Sequence, residues 1–110
     1  MALGISLPTN KGIDATFWII SKVDVDRYSK TAYILMYGYM NKEHCDSGGE
    51  YLTMLSCGVD TLKFDDYFSL NLLNQDGKNQ FTEAYRYVKE HDSRFEQAVD
   101  LIYDIEENSV

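Results

Sequence analysis

His44 and Cys45 stand side by side in the stretch NKEHCDSGGE, with Cys57 and His91 elsewhere in the chain. Imidazole and thiol are the side chains that hold zinc or, paired in a cleft, activate a sulfur nucleophile. A structural zinc site draws its ligands in pairs usually about two to four residues apart, and no such pair occurs among these four. A Cys–His nucleophile built from Cys45 or Cys57 with His91 has only the presence of those residues in its favour. The simpler reading is a solvated loop histidine and two small, buried or half-buried thiols. Asp24-x-Asp26 offers oxygens to calcium, but the run Asp24-Val25-Asp26-Arg27 lacks the glycine and closing glutamate of an EF-hand loop. It reads as the wet face of a strand entering a turn, and Asp65-Asp66 reads as the acidic start of a helix. Among eighteen acids, no glycosidase-type carboxylate pair can be singled out. The chain carries no G-x-S-x-G elbow, no phosphate-cradling glycine loop and no dinucleotide fingerprint. Gly48-Gly49 falls in a hairpin-like loop instead. No catalytic residue, metal ligand or cofactor is assigned, and the chain is read as non-enzymatic.

The totals set the frame in which any site must sit. A chain of 110 residues, 45% of them hydrophobic, is long enough for one small domain with a real core and not for two. It is read as one domain over residues 1–110: β-rich over 3–64, helical over 65–104, with a frayed tail over 105–110. Aromatic residues make up 14%, nine tyrosines against one tryptophan, and Pro8 is the only proline. The formal net charge is −8, with ten Lys and Arg scattered among the acids. Phosphate recognition needs clustered cations, so nucleic-acid binding is disfavoured. The charge reads as solubility, or as an acidic surface for a basic partner. Cys45 and Cys57 do not make the disulfide framework of a secreted domain, and a reduced, intracellular setting fits them. The opening MALGISLPTNKG lacks a basic region followed by an apolar core, so no signal peptide is expected. No run of about 18 apolar residues occurs, so no membrane contact is expected.

The elements follow from periodicity. Phe17–Val25 (FWIISKVDV) puts Phe17, Ile19, Val23 and Val25 on one parity, with Lys22, Asp24 and Asp26 on the other. That is a strand with one wet face, covered on both sides at its start, where Trp18 and Ile20 join. Asp26-Arg27-Tyr28-Ser29 supplies turn chemistry. Thr31–Met40 is the second strand, with Tyr33, Leu35, Tyr37 and Tyr39 on one face. Ala32, Ile34, Met36 and Met40 lie on the other, around Gly38. Asn41–Glu50 is a polar loop, Tyr51–Cys57 a third strand and Thr61–Phe64 a short fourth one. From Asp65 the period changes, through a turn or two of helix and a loop over Gly77. Phe81, Ala84, Tyr85 and Val88 then repeat at helical spacing behind a cap at Asn79. Ser93-x-x-Glu96 is a capping box for Phe95, Ala98, Val99 and Ile102, giving two helices, or one bent helix, over about 79–104. Strands first and helices last make the fold class α+β: a small antiparallel β-sheet or sandwich-like β domain followed by one or two C-terminal helices.

A strand apolar on both faces is either sandwiched or meets another subunit. Tyrosine suits an interface, since its ring buries while its hydroxyl stays usable at a rim. Tyr33, Tyr37 and Tyr39, with Met36 and Met40 behind them, are the candidate protein-contact residues. Ordinary packing at the edge of a core is the alternative for the same row.

The stretch Gly12-Ile13, Ala15-Thr16-Phe17-Trp18-Ile19-Ile20 and Val23 resembles the opening of small tail-region proteins of long-tailed bacteriophages and prophages. Tyr37-Gly38-Tyr39-Met40-Asn41-Lys42-Glu43 is similar to the Gly-Tyr strand end and following loop of that group. Phe64, Tyr67-Phe68, Gly77, Asn79, the run Ala84–Lys89, Phe95 and Ala98 are similar to its C-terminal part. The likeness runs over about residues 12 to 100 and rests on packing and turn residues. The segment between Cys57 and Phe64 and the acidic end after Ala98 do not follow the pattern. The resemblance implies a non-enzymatic structural or accessory protein of the tail or baseplate region, made in the host cytoplasm and carried in the virion tail. It implies other tail or baseplate proteins as partners, a homo-oligomer, and no cofactor.

Two other classes stay open at the level of sequence. A small acidic phage protein can inhibit a host DNA-binding enzyme by placing carboxylates where phosphates would sit. Glu90, Asp92, Glu96, Asp100, Asp104, Glu106 and Glu107 are the acids for that role, against the plainer reading of a charged outer helix face. A carbohydrate-binding module or small wall hydrolase would use Trp18, Tyr33, Tyr37 and Tyr39 to stack on sugars.

Overall fold

In the computed structural model, which describes residues 2–75 and 77–101, the alternating stretches form a five-stranded sheet. Its strands are β1 (Ala2–Leu7), β2 (Ala15–Asp26), β3 (Thr31–Tyr39), β4 (Thr53–Val59) and β5 (Val99–Leu101). Their order is β4-β3-β2-β1-β5, and every neighbouring pair is antiparallel. The helices are α1 (Lys42–Asp46), α2 (Thr61–Phe68), α3 (Leu70–Leu73) and α4 (Gln80–His91), followed by a 3-10 turn at Ser93–Phe95. The fold is α+β, and of the two forms expected from the pattern it is the single sheet. β2, β3 and β4 run as the expected meander. The β2–β3 turn closes on Asp26, whose Oδ1 accepts the Tyr28 and Ser29 amides at 3.0 and 3.3 Å.

The core lies between one face of the sheet and the helices. Trp18, Ile20, Val23, Ala32, Ile34 and Met36 meet Phe64, Tyr67, Phe68, Ala84, Tyr85 and Val88, all buried. Trp18 anchors one end of this layer. Its ring meets Phe95 edge-on at 5.3 Å, and its indole N–H donates to the Ile5 carbonyl at 3.1 Å. Gly38 lies opposite Trp18 across the β2–β3 ladder. A Cβ on Gly38 would come within 2.6 Å of the indole ring, so this glycine makes room for the tryptophan and is not a turn residue.

The parity expected along β2 holds on each side of Ser21 but not across it. Ile20 pairs with Met36 but Lys22 pairs with Leu35, so Ser21 is a β-bulge. One extra residue moves everything after it to the opposite face. Trp18 and Ile20 therefore share the core face with Val23 and Val25, while Phe17 and Ile19 share the other with Lys22 and Asp24. The Ile20 amide beside the bulge donates to the Tyr85 hydroxyl of α4 at 2.8 Å.

Four segments differ from the sequence reading. Thr61–Phe64 is helix, not a fourth strand, because Asp60 caps it: its Oδ1 accepts the Lys63 amide at 3.1 Å. Phe64, Tyr67 and Phe68 then fall on one helical face, in the core. The loop Asn41–Glu50 contains α1, capped by Asn41, which accepts the His44 amide at 2.7 Å. α4 starts at Asn79 as expected but ends at His91, where Asp92 turns extended. Ser93 is then not a cap, since the Asp92 side chain fills that role by accepting the Arg94 amide at 3.0 Å. The chain returns as β5, pairing Leu101 with Ala2 and Val99 with Gly4. Phe95 and Ala98 reach the core from the turn, while Val99 is 59% exposed. The rest of the expected helix to 104, and the tail over 105–110, lie outside the described residues. β1 was not anticipated, because LGISL is too short to show a period of its own.

Candidate protein-contact face

The sheet's second face is where the tyrosine row emerges. Alternation along β3 turns Tyr33, Leu35, Tyr37 and Tyr39 away from the helices. Ladder pairing sets Ile19, Lys22 and Asp24 of β2 beside them on one side and Met54, Ser56 and Gly58 of β4 on the other. Phe17, in the same row, is 2% exposed, so the accessible tract begins at Ile19. Within it Tyr33 is 45% and Met54 52% exposed, and Ile19, Leu35 and Tyr37 are half-buried. Tyr51, entering from the loop before β4, stacks on Tyr37 with ring centroids 4.2 Å apart and planes 15° off parallel. At the far end Tyr39 packs by α1, and burial, then Cys45, push its hydroxyl above the usual tyrosine range.

The five residues singled out from the sequence thus divide. Tyr33, Tyr37 and Tyr39 share the open face. Met36 does not, because its parity points it into the core, where it is 1% exposed; it is a packing residue and is withdrawn from the contact set. Met40, 38% exposed, lies just past the end of β3, where its carbonyl accepts the Thr16 hydroxyl at 2.6 Å. Met54, Tyr51 and Ile19 join the face without having been singled out. Ile19 was hidden by the bulge, and Tyr51 by the reading of Tyr51–Cys57 as one strand, which sets it on the opposite parity from Met54, whereas β4 starts only at Thr53. Met54 had a readable signal, since THR-MET-LEU-SER-CYS over 53–57 is apolar on both parities.

Both edges of the sheet are modified. On β4 the carbonyls of Ser56 and Gly58 accept from side chains outside the sheet. Arg94 Nη2 donates to the Ser56 carbonyl at 3.0 Å and the Tyr87 hydroxyl to the Gly58 carbonyl at 3.0 Å. Arg94 is itself held by Asp92, Nε to Oδ1 at 3.0 Å and Nη2 to Oδ2 at 2.7 Å. That pairing holds the Asp92 carboxyl below the usual carboxylate range. At the other edge, β5 is described over Val99–Leu101.

The groups with chemical potential elsewhere are occupied by structure. The Tyr67 hydroxyl donates to Glu90, and His91 Nε2 lies 2.8 Å from the same oxygen. Arg86 lies 4.1 Å over the Tyr67 ring. Tyr67 is 3% exposed, and burial, then Glu90, raise it far above the ordinary phenol range, so it stays protonated in the fold. Glu83, 3% exposed, is satisfied by Arg86 at 2.7 Å. Cys45 and Cys57 are not disulfide-bonded. Burial, then Asp92, push the Cys57 thiol up to about 11, the wrong direction for a nucleophile. Among the described residues no three His, Cys, Asp or Glu side chains are grouped to hold a metal ion, and no helix is long and apolar enough to cross a membrane.

Of the four described acids proposed to imitate phosphates, three are paired. Glu90 faces Arg86 at 3.5 Å, Asp92 faces Arg94 at 2.7 Å and Asp100 faces Lys89 at 3.0 Å. Glu96 is exposed, and Asp104, Glu106 and Glu107 lie outside the described residues. No family model, curated protein or solved structure matches the chain.

Proposed function

We propose that this chain works by protein–protein contact through the open face of its sheet, as a structural or accessory component and not as an enzyme. One observation carries the reading. Ile19, Tyr33, Leu35, Tyr37, Tyr51 and Met54 form a continuous aromatic and aliphatic tract, with Tyr33 45% and Met54 52% exposed. A contiguous apolar patch on a small domain, rich in tyrosine and methionine, has the composition of a contact surface. The resemblance to tail-region proteins of long-tailed bacteriophages supplies the setting: a tail or baseplate component whose partners are other proteins of that assembly.

The test is a face-ablated chain. Tyr33→Glu with Met54→Glu changes two exposed side chains and leaves the core alone. In size-fractionated extract of the cells that produce it, the tagged wild type should run within a larger assembly. The double variant should run as a free chain with an unaltered circular-dichroism spectrum. A wild type that runs free, or a variant that stays in the assembly, overturns the reading.

A further inference from the structure

We propose that the cavity beside Tyr39, at the end of β3, binds a saccharide unit, a function separate from contact through the open face. The cavity measures about 340 Å3 and is walled by Lys11, Tyr39, Gly49, Glu50 and Tyr51. That volume falls in the range of small-molecule sites, about 300–1,000 Å3.

Its walls are held by contacts within the chain. Lys11 comes from the connection between β1 and β2. There the Thr9 hydroxyl oxygen accepts the Lys11 amide at 3.2 Å and donates to the Ile13 carbonyl at 2.7 Å. Glu50 and Tyr51 come from the loop after α1. The Gly49 amide donates to the His44 carbonyl at 2.9 Å, and the His44 ring lies so close to Gly49 that a Cβ has no room there. Tyr51 is fixed in turn by its stack on Tyr37. Walls set before a ligand arrives reduce the ordering cost of binding it.

The polar groups set this cavity apart. Of the ten Lys and Arg, Lys11 alone has no side-chain carboxylate or carbonyl partner among the described residues. Glu50 also makes no hydrogen bond or ion pair among them. By contrast, a larger cavity beside α4, of about 490 Å3, is lined by Glu83, Arg86, Lys89, Glu90 and Asp100, which are already paired with one another.

These groups define the ligand. An ammonium only donates, a carboxylate only accepts, and a phenol hydroxyl does both. Lys11 opposes a cationic ligand and Glu50 an anionic one, so a neutral ligand with both donors and acceptors fits. Tyr39 and Tyr51 add aromatic rings, whose faces are electron-rich and take up C–H groups. A pyranose brings both features, a rim of hydroxyls and a C–H face. A zwitterionic amino acid is neutral too but brings no such face, and it forms one arm of the test.

The experiment follows the amide chemical shifts of the isotope-labelled full chain. The probes are the methyl glycosides of glucose, galactose, mannose and N-acetylglucosamine, and glycine. Each is taken to about 50 mM, well above the Kd of about 1 mM expected of one weak site. At least one glycoside should give saturable shifts centred on Lys11, Gly49, Glu50 and Tyr51. Lys11→Ala and Glu50→Gln, both at exposed positions, should each raise the Kd about tenfold, the loss of one hydrogen bond to a charged group. The rest of the spectrum should stay unchanged. No saturable shift with any glycoside overturns the proposal. So does full affinity in both variants, or glycine binding at these residues more tightly than every glycoside. The double variant should still enter the larger assembly expected of the open face, because neither residue lies on that face. Its exclusion would make the cavity part of the contact surface and overturn a separate saccharide site. A wild type that binds a glycoside but runs free in extract overturns the contact reading alone.

Discussion

Tyr85 reaches from α4 into the sheet and accepts the Ile20 amide, which the bulge at Ser21 has taken out of the ladder. A buried donor left without a partner loses about 1–3 kcal/mol. Tyr85→Phe, which removes only the hydroxyl, should lower the unfolding free energy by that amount in urea titration. Gly38→Ala forces a methyl into the Trp18 ring and should lower it by about 1–3 kcal/mol through overpacking. Ionisation acts at the same scale. The Cys57 thiol is raised from 9.0 to about 11, and Tyr87, chiefly through burial, is raised above its usual value as well. Both ionise more readily in the unfolded chain than in the fold. Their contribution is therefore complete below pH 9.0 for the thiol and is lost as pH rises through about 11. Thermal unfolding followed across that window should show Tm falling steadily on the alkaline side.

Elements show where local pattern suffices and where it does not. Asn79 was legible as a cap, and it accepts both the Phe81 and Thr82 amides, at 2.8 and 3.0 Å. Asn79→Ala should lower stability by about 1 kcal/mol, read from the midpoint of chemical unfolding. The tyrosine face of β3 was legible for the same reason: strict alternation is a local property. β5 was not, because the spacing of Phe95, Ala98 and Val99 matches a helix, and only β1, almost the whole chain away, draws Val99–Leu101 into the sheet. The strand read at Thr61 failed because Asp60 competes with the ladder by capping the next turn. The Asp92–Arg94 guard on β4 was invisible, since the contact to Ser56 spans 38 positions. Removing it should have a specific effect. Arg94→Ala combined with Tyr87→Phe frees two edge carbonyls, and the variant should aggregate through strand addition, seen as thioflavin binding and light scattering that wild type lacks.

At the scale of the whole molecule, electrostatics and shape point the same way. The ion pairs are mostly exposed, such as Lys30–Asp65 with side chains 53% and 63% accessible, and such pairs contribute about 0–1 kcal/mol. Self-repulsion at net charge −8 acts against the compact state throughout. Raising ionic strength from about 0.01 M to about 0.15 M shortens the screening length from about 30 Å to about 8 Å. Tm should therefore rise over that interval, measured by calorimetry at neutral pH. Among the described residues the helices cover one face of the sheet and leave the other with its tyrosines partly in water. That asymmetry is what makes a contact function the reading best supported by this fold.

The extra residue at Ser21 has a consequence for the history of the chain. It works as a one-letter insertion in the spatial frame of β2. Downstream of it, Lys22 and Asp24 face solvent and Val23 and Val25 face the helices. A relative without that insertion must carry its aliphatic pair one place earlier, or else turn a lysine and an aspartate into the core. Single-residue gaps should therefore be purged from this strand in evolving libraries, yet tolerated around the exposed Gly12 and Gly48 turns. A deletion at Ser21 that survives should come with compensating swaps at the next four positions.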